Sequence, residues 1–167
     1  MPIATPKELF VVMLSDLRHG AERSQPIYKE LAEAAQDPEI NEVLDARASI
    51  TGNILSRLDE CFKLIGEKPT PVPPVLKTRD EFVEAFRKEL AEIKAPLVRK
   101  LFVLSRAHRL LHLRIAEHET LIAASGMLAH PAVRLHLEAI VAEKRAHAEA
   151  LKRLIAERVR EKVAAAA

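Results

Sequence analysis

Apolar residues recur at three- and four-residue steps along four long stretches of this chain, the spacing of a helix that buries one face. The first stretch carries Leu9, Phe10, Met13, Leu17, Tyr28 and Leu31, and the second Ile40, Leu44, Ile54, Leu58, Cys61 and Ile65. The third carries Leu97, Leu101, Leu104, Leu111, Ile115 and Ile122, and the fourth Val133, Leu137, Ile140, Leu151 and Leu154.

Local signals mark where these helices start and stop. Thr5-Pro6-Lys7-Glu8 is a capping box with proline at the first helical position, where its missing N–H costs nothing. A helix is predicted from there to about Gln36, with a kink or break at Pro26. Asp37-Pro38 opens the second helix, and Gly66 is placed to close it in a left-handed cap. Residues 67–77 (EKPTPVPPVLK) hold four prolines and read as an extended connector. Thr78-Arg79-Asp80-Glu81 then opens a short helix over about 79–93, with a further boundary at Ala95-Pro96. The third helix ends near Gly126, and His130-Pro131 begins the fourth.

The connections choose among helical architectures. Tight turns join helices one to two and three to four, so each pair is antiparallel, while the link between the pairs can cross the molecule end to end. One long crossover among four helices predicts an all-α, ferritin-like antiparallel four-helix bundle with a short fifth helix in the crossover. The competing arrangement is a plain up-down bundle with an excursion at one end. The 167 residues suit a single ferritin-like domain spanning 1–167.

Composition narrows the function classes. Only 4% of residues are aromatic and four are glycine, a helical profile. Twenty-six basic and 24 acidic side chains give a formal charge of +2. That balance, with no aromatic platform or reading motif, argues against nucleic-acid binding. No apolar run reaches the roughly 20 residues of a membrane span, and Met1 to Phe10, with one lysine and no long apolar stretch, are not expected to act as a signal peptide. The lone Cys61 excludes an internal disulfide and favours a reducing compartment. A cytoplasmic protein with no membrane partner is expected. No phosphate loop, CxxC pair or nucleophile elbow is present, so no catalytic residues are assigned.

The residues resemble a known family. Glu8-Leu9-Phe10 through Asp16-Leu17, the turn Ala34-Ala35-Gln36-Asp37-Pro38, and Arg57-Leu58-Asp59-Glu60-Cys61-Phe62-Lys63-Leu64-Ile65-Gly66-Glu67-Lys68-Pro69 are similar to the bacterial YciE/YciF proteins. So are His112-Leu113-Arg114-Ile115-Ala116, Thr120-Leu121 and Glu143-Lys144. The resemblance implies a ferritin-like fold, a homodimer, a link to stress responses and no established enzymatic activity. It also implies interior carboxylates and a histidine suited to a di-iron site.

Carried over position by position, most of those ligands are replaced. Ala21 stands where the family has a glutamate, with Glu22 about 100° round the helix; a one-residue shift of register would restore it. Arg47 and Ile50 stand at a histidine and a glutamate position, and Leu111 and Arg114 at two acidic ones. Glu143 remains, beside Lys144, with His147 at a former acidic position.

A di-iron centre needs about four carboxylates and two histidines. The metal-ligand candidates here are Glu143, His147, His112 and Glu22, a set that suits one iron or zinc ion at most. Arg47 and Lys144 oppose any such cation. A second reading pairs Arg47 with Glu143 across the space made by Gly20, Ala21 and Ser24. A third, bland one lets Arg47 and Lys144 reach solvent along their apolar stems.

Lys94, Arg99, Lys100, Arg106, Arg109 and Arg114 lie in a stretch free of acids, read as a solvated side paired with a neighbouring helix. His108 and His118 read as core-facing, and Cys61 as a buried small hydrophobe. A second apolar face of the third helix, Val103, Leu110, Leu113 and Leu121, suggests a second copy as partner. The favoured function is a non-catalytic, stress-associated bundle with a degraded di-iron site and no cofactor. The alternative is an iron- or zinc-binding redox or storage-type protein.

Overall fold

The computed structural model describes residues 3–71, 77–128 and 130–166, and these residues form helices and no strands. The α-helices are α1 (Pro6–Ala35), α2 (Pro38–Ser49), α3 (Thr51–Ile65), α4 (Lys77–Glu92), α5 (Pro96–Ala124) and α6 (Pro131–Ala166), with a 3₁₀ turn at Ser125–Met127.

Most helix ends fall where local chemistry puts them. The Glu8 N–H donates to Thr5 Oγ1 at 3.2 Å, and the Glu8 carboxylate accepts from the Thr5 N–H at 2.9 Å. Asp37 Oδ1 accepts from the N–H groups of Glu39 and Ile40 at the start of α2. Gly66, at φ 70°, closes α3 in a left-handed cap, with its own N–H on Lys63 O and that of Glu67 on Phe62 O. The expected break at Pro26 is absent: α1 runs through it, and Pro26 lies on the exposed side. The break falls instead at Ile50, where a single turn residue separates α2 from α3. The short helix begins at Lys77, ahead of the expected box; the side chains of 78–80 and residues 72–76 of the connector lie outside the described residues.

α1 lies against α2, α3 and α5, while α6 lies against α5 and α3. At one end the α1–α2 turn meets the start of α5 and the end of α6, where Asp37 bonds Lys100 (2.8 Å) and Arg158 (3.2 Å). At the other end Cys61 of α3 lies against the Val133 carbonyl of α6, and Lys7 of α1 pairs with Glu67 at 2.7 Å. From Glu67 the connector follows α1. The Thr70 N–H donates to Ser15 Oγ (2.9 Å), His19 Nε2–H donates to the Thr70 carbonyl (3.0 Å), and Arg87 of α4 holds Glu30 through two bonds.

The apolar interior is divided in two. One cluster gathers Phe10, Leu14, Leu58, Cys61, Val133 and Leu137; the other gathers Leu31, Leu44, Leu104, Leu111 and Leu151. Removing any one of these leucine side chains costs about 2–5 kcal/mol. The second apolar face of α5 is mostly turned inward: Val103, Leu110 and Leu121 are fully buried within the chain, and only Leu113 is exposed. Beside that face, α4 stacks Phe86 on Phe102 of α5, with ring centroids 5.7 Å apart. This corrects the sequence argument for a partner on that face. No described helix is long and apolar enough to cross a membrane.

Candidate functional site

Between the two apolar clusters lies a polar layer at mid-length. Five of the helices turn one or more positions of their buried stripes into it. α1 supplies Ala21, Ser24 and Tyr28, α2 supplies Arg47, α3 Thr51, α5 Arg114 and His118, and α6 Lys144. Arg47 is 3% exposed, Arg114 1% and Lys144 2%. Two guanidiniums and a lysine amine are therefore buried together.

Each is held differently. Arg114 donates to the Leu17 carbonyl at 2.9 Å and pairs with Glu117 one turn along α5. Arg47 sets its guanidinium carbon 5.0 Å from the centroid of the Tyr28 ring, while its Nε and Nη1 have no hydrogen-bond partner. Burial, reinforced by the charges of Arg47 and Arg114, pushes the Lys144 pKa well below the usual lysine value, despite Glu117 and Glu143. His118 is brought down to about 2, by burial first and then by Lys144 and Arg114. Its Nδ1–H donates to the Arg114 carbonyl at 2.6 Å, so the ring is neutral and its buried Nε2 carries a lone pair. Burial raises the Tyr28 phenol, with Arg47 and Arg114 opposing.

The sequence-predicted metal ligands do not converge, although Glu143 and His147 are neighbours one turn apart on α6. Glu22 is exposed, bonded to Arg18 at 2.5 Å. His112 is exposed on the outer side of α5 because Leu111, one residue away, points into the core. Glu143 is half-buried with one oxygen 3.1 Å from Arg57 of α3, and His147 donates from Nδ1 to the Glu143 carbonyl at 2.9 Å. Of the replaced positions, Ala21, Arg47, Leu111, Arg114 and Lys144 are buried, and Ile50 is half-buried at the break between α2 and α3. Among the described residues, no three His, Cys, Asp or Glu side chains gather as a metal site would need.

Two expectations are corrected here. Arg47 does not pair with Glu143: Arg57, ten residues on, reaches that carboxylate, and Arg47 turns to the Tyr28 ring. Neither do Arg47 and Lys144 escape to solvent along their stems. Of the cations read as a solvated side, Arg106 meets Glu89 of α4 and Lys100 meets Asp37, but Arg114 departs from that reading, because it is buried and pairs with Glu117 of its own helix. Cys61 is buried, its thiol raised to about 12 mainly by burial and then by Glu60. Sequence reasoning missed Tyr28 and Arg57 as partners, and the Asp37 cluster. It read His108 as core-facing, and that ring is half-buried beside His112.

A di-iron centre does not fit this layer. Any metal ion would meet two guanidiniums and a lysine, with carboxylates only at the rim, and like charges at this depth repel strongly. The layer is a buried, donor-rich partition that carries two guanidiniums and a lysine.

These features define the class: an all-helical protein whose interior is crossed by buried cations. The chain belongs to the family described as a domain of unknown function, DUF892, whose model matches residues 5–164. Its fold is that of the Escherichia coli stress protein YciF, with a TM-score of 0.86 at 19% identity over 95% of this chain and 99% of that one. YcfI, a proposed structural protein from Rhodopseudomonas palustris, is also similar, with a TM-score of 0.82 at 24% identity over 90% of this chain and 94% of that one. The comparison with curated proteins found no match.

Proposed function

We propose that this chain is a non-catalytic, stress-associated protein of the cytoplasm, built as a ferritin-like four-helix bundle whose di-iron site has been replaced by fixed cations. The carrying observation is the burial of Arg47, Arg114 and Lys144 between the two halves of the core. Similarity of fold to a stress protein and to a proposed structural protein supports the direction of the reading. Buried guanidiniums repel a metal ion at this depth, which weighs against redox and iron-storage roles and for a structural one. The competing reading, iron or zinc on Glu143, His147, His112 and Glu22, has Glu143 and His147 as neighbours, but no three of the four side chains gather.

A homodimer belongs to the same proposal. Val98 and Leu113 on α5 and Leu135 and Val159 on α6 are exposed apolar side chains, and light scattering reads whether a second copy of the chain is present. For the interior, the test is elemental analysis of protein purified without chelator, alongside a Glu143→Ala variant. Less than stoichiometric iron in both is expected. One or two iron ions per chain, lost in the variant, would reverse the reading.

A further inference from the structure

Away from the cationic layer, α5 carries two imidazoles one turn apart on its outer side. His108 and His112 bring their Nε2 atoms to 3.1 Å, with ring centroids 4.4 Å apart and planes tilted by 57°. We propose that this pair is a surface chelating site for a late divalent transition-metal ion such as Zn²⁺, Ni²⁺ or Cu²⁺. This site goes beyond the function proposed above and does not involve the interior.

Geometry carries the inference. A metal–imidazole bond is about 2.0–2.1 Å, so two nitrogens on one ion stand about 3.3 Å apart at a tetrahedral angle and about 2.9 Å at a right angle. The observed separation falls between the two. Residues four apart on a helix share a face, so the backbone presets both rings and little ordering is left for the ion to impose. His112 is exposed and His108 half-buried, so the outer coordination positions stay open to water or to a third ligand.

The electrostatic surroundings permit it. Burial and the neighbouring ring favour the proton-free form of His108, and that form offers a lone pair. Glu149 on α6 acts on the same ring with a negative charge that favours a bound cation, and Lys152 opposes it. In the observed contact one ring donates its Nε2–H to the Nε2 of the other, and for both Nε2 atoms to hold one ion the donor ring carries its proton on Nδ1 instead.

The test is calorimetric titration of Zn²⁺ and Cu²⁺ into the full chain after chelator dialysis, with His108→Ala, His112→Ala and a control His136→Ala. One equivalent should bind to the parent and to the control. Affinity should fall at least about tenfold in either pair variant, since a lone imidazole cannot chelate. Thermal melts of the pair variants should match the parent, which separates lost chelation from lost folding. Moving the second ring round the helix, by His112→Ala with Leu113→His, should also remove binding. No binding at millimolar ion, or binding unchanged in both pair variants, overturns the proposal. Should that unchanged binding disappear in Glu143→Ala, the reading of the interior falls as well.

Discussion

Arg47 of α2 lies over the ring of Tyr28 on α1, 5.0 Å from its centroid, and its Nε and Nη1 have no hydrogen-bond partner among the described residues. The aromatic face offsets part of the cost of burying that charge, by about 2 kcal/mol when water is excluded. Each unsatisfied donor costs about 1–3 kcal/mol. Arg47→Met keeps the apolar stem and removes both penalties. It should leave the fold intact and hold stability within about 2 kcal/mol of the parent, on the stabilising side, as replacements of buried ionic groups often do. Urea unfolding of the two proteins checks this, and a loss above about 3 kcal/mol would show that the ring contact dominates.

The polar layer also makes stability depend on pH in a definite direction. Lys144 has a folded pKa below its unfolded value, so between the two the unfolded chain binds the extra proton and stability rises with pH. His118, brought to about 2, does the same between about 2 and its ordinary value near 6.5. Above about pH 10 the raised phenol of Tyr28 reverses the slope, because the unfolded chain then loses its proton first. Unfolding free energy should climb from acid through neutral into mildly alkaline solution. Lys144→Met should flatten the alkaline limb, and His118→Leu the acid one. A parent protein equally stable at pH 5 and pH 9 would contradict this.

Asp37 ties three helices at one end. Its carboxylate caps α2 and binds Lys100 and Arg158, and Arg158 also meets Glu39 at 2.6 Å. Burial alone would raise the Asp37 pKa, but Lys100, the Ile40 N–H and Arg158 together hold it below the usual value. Its contribution is present above the unfolded pKa and is lost as pH falls through the folded one. Asp37→Ala should cost about 2–4 kcal/mol, as it removes a cap and the charge-assisted bonds to Lys100 and Arg158, while Arg158 keeps Glu39 and Glu161. Asp37→Asn retains the cap and should cost roughly half as much. Thermal melts at neutral pH distinguish the two.

The carboxylate of Glu143 is assigned to Arg57, and the assignment has an energetic signature. Both side chains of this pair are about one-third exposed. A double-mutant cycle over Arg57 and Glu143 should return about 0.2–1 kcal/mol of coupling. The corresponding cycle over Arg47 and Glu143 should return close to zero. Coupling in the second that exceeds the first would restore the pairing that helical periodicity alone suggested.

The legible parts of this molecule are the local ones. Thr5 with Glu8, and Gly66 with its two N–H bonds, are settled by residues within one turn and need no knowledge of the fold. Periodicity was enough to put Arg47 and Lys144 inside. It could not say which residue on a facing helix stands at the same height, so it paired Glu143 with Arg47 when Arg57 was the one in reach. His112 was legible in principle: one residue from a core leucine on an α-helix means about 100° away from the core. Pro26 failed as a break because its side of α1 is exposed, where water can bond the carbonyl that proline leaves free.

The sulfhydryl of Cys61 is fully enclosed, and its ionisation is suppressed to about pH 12. A thiol reagent can therefore reach it only when α3 parts from its neighbours, and the chain holds no other cysteine to blur the signal. The native protein thus carries its own clock for rare openings of the core: the rate at which it takes up label counts them, without any engineered reporter.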